Sequence, residues 1–321
     1  MSANDSYQLQ RYLLMTLDPL HPGAGGYRLG RVDLSIARDP GTRLPKIPGS
    51  SLHGAARQYA DLLDREKRGK QKPCAGLNSC GKADCPICYT FGTVTKDKEG
   101  NEQIARSGVV SIFDAHILLF PVHTMLGPMW VSTVERLEEA GFEKLPTAPE
   151  EGTVILIGNQ KGNQGNPTRL NLGWLMLDVK TQVSLTPPEE WKNKQWEAIQ
   201  DKIALVNDSL FSVIVNSNLE VRTSVSIDPQ TGAAAEGALY TYEAIPRATF
   251  LTLDVVQDDY SGKFPKQNGW EQPLDVVQAG LKLIEYLGVG GMGTRGFGRI
   301  RLIGEPLEIP IFQDKTQEAG A

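Results

Sequence analysis

Four cysteines fall within fifteen residues, Cys74, Cys80, Cys85 and Cys88, in the spacing C-x5-C-x4-C-x2-C. The last pair forms the knuckle Cys85-Pro86-Ile87-Cys88. A C-x2-C turn presents two thiolates on one side, and four thiolates make a closed tetrahedral Zn2+ site with no open position, hence structural rather than catalytic. Four unliganded thiols, or a redox pair at Cys85 and Cys88, are the competing readings. The two further cysteines nearby speak against the redox pair, and a reducing compartment speaks against disulfides.

Two other places suit anion chemistry. Gly49-Ser50-Ser51 opens a helical pattern, and unpaired amides at a helix start favour a phosphate, although an ordinary helix cap looks the same in sequence. His53 and Arg57 follow one turn apart, so both can face one strand of a nucleic acid, Arg57 with a guanidinium that forks onto phosphate oxygens. Near the other end, Gly288, Gly290, Gly291, Gly293, Gly296 and Gly298 form a loop that also carries Thr294, Arg295 and Arg299. Such a loop lets backbone amides approach phosphates. His21, before Pro22, is able to act as an acid or base near neutral pH, or simply shapes its loop. Asp33 stands alone after a Gly-rich stretch, and on its own it reads as a solvated turn residue.

The elements that must position these residues follow from periodicity. Residues 8–17 read as a buried strand, and 50–64 as a helix with Leu52, Ala56, Tyr59 and Leu63 on one face, capped by Gly49-Ser50-Ser51. Residues 108–122 read as strand interrupted at Asp114-Ala115, 157–173 as a mobile Gly- and Asn-rich loop, and 188–206 as a helix after Pro187-Pro188. The segments 221–228 and 237–244 flank Pro229-Gln230-Thr231-Gly232 and predict a long β-hairpin. A helix over 273–287 starts at Pro273 and lines up Leu274, Val277, Leu281 and Ile284. The Gly-rich loop then feeds a last strand over 297–303. This order fits an α+β, ferredoxin-like core with large insertions.

Composition bounds the function. The chain has 321 residues, 40% of them hydrophobic and 22% charged, with a net charge of −5. That suits a folded soluble protein; with no long apolar run and no secretory leader, a cytoplasmic location away from membranes is expected. The negative balance argues against a broad basic face, so nucleic acid would have to be held by local cations and backbone amides.

Five separated motifs together resemble the RAMP superfamily of CRISPR proteins. They are His21-Pro22-Gly23 with Leu29-Gly30-Arg31-Val32-Asp33 and then Ile36-Ala37-Arg38-Asp39; Pro45-Lys46-Ile47-Pro48-Gly49-Ser50-Ser51-Leu52-His53-Gly54-Ala55-Ala56-Arg57; Phe113-Asp114-Ala115-His116 running to His123; Gly237-Ala238-Leu239-Tyr240-Thr241-Tyr242-Glu243-Ala244-Ile245-Pro246; and Gly290-Gly291-Met292-Gly293-Thr294-Arg295-Gly296-Phe297-Gly298. The third and fourth look most like the repeated backbone subunit of type III-B (Cmr) effector complexes. The cysteine knuckle running into Tyr89-Thr90-Phe91-Gly92 looks more like the equivalent subunit of type III-A and III-D systems.

The resemblance implies a single domain over 1–310, an RRM-like palm with a zinc-bearing finger insertion at about 66–107 and a thumb hairpin at about 215–246, then a disordered tail over 311–321. It implies copies stacked on a guide CRISPR RNA beside other effector subunits, with complementary target RNA cut at each thumb. Asp33 falls at the family's cleaving aspartate, working with Mg2+ or another divalent ion, and Glu243 at a family carboxylate by the thumb, unless it simply pairs with Arg247. Ser50, Ser51, His53, Arg57, Arg222, Gly291, Thr294 and Arg295 are the implied RNA contacts, and Arg222, Ile227 and Leu239 the thumb residues that would wedge between bases. One departure is His53, where the family usually has Lys. The alternatives are a guide-binding scaffold that does not cut, a guide-processing RAMP endonuclease, and a plain zinc-ribbon interaction module.

Overall fold

A computed structural model describes residues 7–25, 32–69, 73–76, 79–82, 84–96, 103–158, 167–233, 239–267 and 269–310. Leu29-Gly30-Arg31 of the first motif, Gly237-Ala238 of the fourth, residues 159–166 of the 157–173 loop and the 311–321 tail lie outside the described residues.

The centre is an antiparallel sheet with two long helices packed on each other. Strand β1 (Tyr7–Thr16) lies between β3 (Phe250–Asp258) and β4 (Ile300–Ile309), and β3 pairs on its other side with β2 (Ala115–Thr124). The order across the sheet is therefore β4-β1-β3-β2. Strand side chains alternate between faces. Tyr12 and Leu14 of β1 enter the larger core, and Leu13 enters a second one. Apolar residues on both faces explain why β1 reads as nearly continuous hydrophobic sequence.

Helix α1 (Gly49–Arg68) buries Leu52, Ala56 and Ala60, and helix α2 (Pro273–Leu287) buries Leu274, Val277, Leu281 and Ile284, the spacing expected from the sequence. The two helices touch at Gly280, where a Cβ would fall 2.1 Å from the Ala56 carbonyl oxygen. Helix α1 runs past the expected residue 64 until Gly69, which adopts the left-handed conformation at φ 61°. Its start differs from the sequence reading. Neither Ser50 nor Ser51 caps it; Pro48 precedes the first turn, and the Asp114 carboxylate accepts the Gly49 amide at 2.7 Å.

Beyond β2 the sheet continues through strands Gly127–Ser132, Ile203–Leu205, Thr153–Ile157, Leu175–Val183 and Arg169–Leu172. The last of these occupies sequence expected to be a loop. The helix expected over 188–206 is not formed either. A 3-10 turn (Glu189–Trp191), a four-residue helix (Lys194–Glu197) and the strand Ile203–Leu205 stand in its place. The cause is the second core: Trp191 and Trp196 are both fully buried there beside Phe142, which broken turns permit and one helix face does not. The helix comes later, Asp208–Ser217, with the Asn207 side chain accepting the Ser209 amide.

The expected hairpin is present at its root as Glu220–Ser224 paired with Tyr240–Ala244. Strand β4 begins three residues later than expected because Gly298 has φ 99° and its carbonyl accepts from Val289. Among the described residues no helix is long and apolar enough to cross a membrane.

Candidate active site and metal-ligating cluster

The strand Tyr240–Ala244 collects three segments that are distant in sequence. On one side of it Thr241 meets Asp33: the Thr241 amide and hydroxyl both donate to Asp33 Oδ2, at 2.7 and 2.9 Å. The Asp33 amide returns a bond to the Thr241 carbonyl at 3.1 Å. These donors hold the Asp33 carboxyl below the ordinary carboxylate range, the amide contributing most, while the residue itself stays exposed. Asp33 is therefore a fixed, solvent-facing carboxylate. It belongs to no cluster of three metal-ligating side chains among the described residues.

Two residues further along, Glu243 is buried and fully engaged. Arg38 forks onto it at 2.6 and 2.7 Å, and the Ile36 amide donates to Oε1 at 3.0 Å. Its partner is thus Arg38, not Arg247. The Arg38 Nε reaches on to Asn216 at 3.0 Å, which ties the segment before α1 to the helix Asp208–Ser217. His21 is also buried, its Nδ1 2.7 Å from the Glu243 carbonyl oxygen and its own carbonyl accepting the Gly291 amide at 2.9 Å. A carbonyl neighbour requires the proton on Nδ1, so the ring is oriented by the hairpin root. Gly291 packs closely here, since a Cβ would lie 3.1 Å from the His21 ring and press on it. His21 and Glu243 thus brace the strand that carries Thr241.

The opposite side of the same strand is aromatic. Tyr240, Tyr242 and Phe297 stack in sequence, with ring centroids 5.9 and 5.6 Å apart. Arg222 lies over Phe297 at 4.7 Å and donates to Glu220, and Arg295 lies over Tyr240 at 5.5 Å and donates to its hydroxyl. Arg295 and Thr294 are exposed on the turn Gly293–Arg295. Beyond the paired root, Val225, Ile227 and Leu239 are exposed apolar residues. Arg222 folds back onto the root, unlike Ile227 and Leu239.

At the start of α1 the Gly49 amide is already taken by Asp114, whose other oxygen meets Lys46 at 2.6 Å. An internal carboxylate thus stands where an anion was expected, with Ser50 exposed and Ser51 half-buried next to it. His53 packs edge-on against Phe91 at 5.2 Å, and burial, with Arg57 adding to it, lowers its pKa from the ordinary imidazole value. It therefore does not replace the missing Lys as a fixed charge. The Arg57 Nε donates to the Cys74 carbonyl at 3.0 Å, so part of this guanidinium holds the cysteine segment.

The four cysteine sulfurs lie within 4.8 Å of one another. A tetrahedral site with metal–sulfur bonds of about 2.3 Å spaces its sulfurs by roughly 3.8 Å. Cys80 and Cys88 are 3.6 Å apart, and Cys74 and Cys85 are 3.8 Å apart. Cys74, Cys85 and Cys88 are buried and Cys80 is exposed. Thiol hydrogen bonds from Cys74 and Cys85 pull the Cys88 group down towards thiolate, the ligating form. Asp61 of α1 accepts the Cys74 amide at 2.9 Å, so the helix holds the first ligand from behind. The cluster fits a closed metal site.

The family model of the RAMP superfamily matches residues 13–301 of the chain. The chain belongs to the RAMP superfamily. This RAMP chain is 28% identical over 303 residues to the CRISPR system Cmr endoribonuclease Cmr4 of Pyrococcus furiosus, a match covering 90% of the chain and 93% of the relative. It is 25% identical over 284 residues to the CRISPR system Cms endoribonuclease Csm3 of Methanothermobacter thermautotrophicus, covering 88% and 77%. Among solved structures, a chain of the type III-B Cmr-beta complex bound to cognate target RNA has a TM-score of 0.62 at 16% identity, covering 92% of this chain and 96% of that one. Oligomeric Cmr4 from Pyrococcus furiosus has a TM-score of 0.58 at 20% identity, covering 94% and 99%. The structural likeness concerns the fold. For a RAMP protein, sequence reasoning had singled out Asp33, His21 and Glu243 but not Thr241 or Arg38, which hold two of them. For Thr241 the signal is present in the alternation of Tyr240-Thr241-Tyr242-Glu243, which places it on the same side of the strand as Glu243; nothing local marks Arg38, which comes from 205 residues away.

Proposed function

We propose that this chain is a repeated backbone subunit of a cytoplasmic type III-B CRISPR effector complex, holding guide RNA and cutting the paired target RNA at Asp33. The observation that carries the reading is the exposed Asp33 carboxylate fixed by Thr241 at the hairpin root, in a chain similar along nine-tenths of its length to a Cmr endoribonuclease. The β4-β1-β3-β2 order with two packed helices supports a ferredoxin-like palm, from which residues 66–107 and 215–246 project as finger and thumb.

In this reading Ile227 and Leu239 of the thumb displace one target nucleotide, and its 2′-hydroxyl comes into line with the adjacent phosphorus. Asp33 accepts the hydroxyl proton as the new oxygen–phosphorus bond forms and the bond to the 5′-oxygen breaks, solvent protonating the leaving oxygen. Thr241 keeps the carboxylate ionised and aimed. A divalent ion such as Mg2+, held by Asp33 and the RNA phosphate, would supply charge neutralisation at phosphorus. Arg295, Thr294, Gly291, Ser50, Ser51, His53, Arg57 and Arg222 form the RNA-facing surface, Arg222 and Arg57 with part of their hydrogen-bonding capacity already committed. The cysteine cluster holds one structural Zn2+. Further copies of the chain and sister subunits complete the groove that a chain of net charge −5 does not provide alone.

The test places Asp33→Asn in the assembled complex and measures target capture and target cleavage side by side. Capture is retained and cleavage is lost; a variant that cuts at the wild-type rate leaves the non-cutting scaffold as the function. For the cluster, metal analysis of chain purified without chelator gives about one zinc per chain. A metal-free preparation that stays folded would refute the zinc assignment.

A further inference from the structure

A second cleft lies far along the chain from Asp33, between the cysteine lobe and the segment that leaves β3. It encloses about 630 Å³. Lys82, Arg106 and Lys263 line it, all exposed, and among the described residues no salt bridge takes up any of the three. Asp258 is the acidic residue that also lines it, so cations outnumber anions there. In a chain of net charge −5, three cations around one cleft with a single lining carboxylate are a local departure from the surface as a whole.

The cleft is also built to hold its shape. The Tyr89 hydroxyl donates to the Asp259 carboxylate at 2.5 Å, lies 2.7 Å from the Ser261 hydroxyl and accepts the Lys263 amide at 3.2 Å. Its ring meets Phe264 edge-on at 5.7 Å. On the other wall the Asp258 amide donates to Val109, and the Val109 amide to Thr90, at 2.7 and 3.1 Å. The loop after β3 is thus fastened by the Tyr89 hydroxyl to the short helix Pro86–Phe91, which also carries Cys88. On this fastened loop Tyr260 stands 81% exposed, the most exposed of the large hydrophobic side chains among the described residues. An aromatic ring held in water with nothing packed on it serves no part of the core. With the three cations that line the same cleft it offers what a nucleotide needs, a stacking face for the base and charge for the phosphate.

We propose that this cleft binds a single-stranded nucleotide of RNA, the base stacked on Tyr260 and the phosphates held by Lys82, Arg106 and Lys263. The inference rests on the RNA-binding reading above and adds a contact on the cysteine lobe to the one at the thumb. Guide and target strands offer the same chemistry, and the experiment separates them. Complex containing the full-length chain is assembled with 4-thiouridine in the guide alone or in the target alone, irradiated, and digested. A crosslinked peptide spanning residues 258–263 in either arm supports the cleft and names the strand. Tyr260→Ala removes that crosslink. The triple variant Lys82→Glu, Arg106→Glu, Lys263→Glu lowers the slope of log affinity against log salt by about 2, from roughly 0.7 per single-strand phosphate contact. Metal content and thermal melting of the variants report whether the lobe is intact. A complex that captures and cuts target normally, yet gives no crosslink at 258–263 in either arm, overturns the cleft and leaves the Asp33 reading standing. A chain that assembles with no RNA at all overturns both.

Discussion

Asp33 and Asp114 are both carboxylates that accept a backbone amide, and both are held below the ordinary carboxylate range, yet they end in different states. Asp114 is partly desolvated, which opposes ionisation, but Lys46 and the Gly49 amide outweigh that. Its charge is spent within the fold, on a cation and on a helix start. Asp33 has donors of similar strength, the Thr241 amide and hydroxyl, but neither carries a charge. Neutral donors fix a carboxylate without cancelling it. That leaves Asp33 as the one whose negative charge is still available to a metal ion or a proton, and it is the property to look for when two aspartates in one chain both accept amides.

The sharpest way to break this comparison is to neutralise each in turn. Asp33→Asn lowers cleavage by roughly 10²–10⁴-fold, the usual contribution of a positioned general base, while the melting temperature stays within about a degree of wild type. Next in size is the brace beneath it. Glu243→Ala leaves the half-buried Arg38 with no carboxylate, only Asn216 and the Ile36 carbonyl, and lowers stability by about 3 kcal/mol in chemical denaturation, cleavage falling only as the fold is lost. Asp114→Ala removes the helix cap and the Lys46 contact, worth about 1–2 kcal/mol of stability, with the cleavage step unchanged once complex has formed. Asp114 has a depressed native pKa, so its contribution is full at neutral pH and lost as pH falls through the acid range; the variant's stability deficit therefore shrinks on acidification.

The smallest effect is the most specific. Thr241→Val removes the hydroxyl donor but keeps the amide, so the Asp33 carboxyl moves part of the way back up. The acid limb of the cleavage profile shifts to higher pH and the neutral plateau barely changes, and Thr241→Ser restores the wild-type limb. An acid limb that stays put would mean that Asp33 ionisation does not govern the rate.

How much of this was legible in the sequence depended on whether the deciding contact was local. Helix α2 declared itself through Pro273 and its apolar face, and the cysteine cluster through its spacing. The start of α1 did not, because its cap, Asp114, comes from a residue 65 positions away. The false helix at 188–206 had the same origin: its charged, Trp-containing run looks amphipathic, and only the distant second core requires both tryptophans inside. The true helix after it was masked by Val213, Ile214 and Val215, β-branched residues that favour strands in isolation. Asp33 was found by resemblance and not by its own neighbourhood, since its partner Thr241 is 208 residues on.

The strand Tyr240–Ala244 carries Thr241 and Glu243 on one side and Tyr240 and Tyr242 on the other. A slip of one residue against Glu220–Ser224 would exchange the two sets, turning aromatic rings towards Asp33 and a carboxylate into the ring stack. Partial misregister has no intermediate that works, so the pairing at the root is an all-or-none property. The chain between Ser224 and Tyr240 is outside that ladder. A change of length there leaves the pairing at the root intact, so the reach of the hairpin is decoupled from the geometry around Asp33.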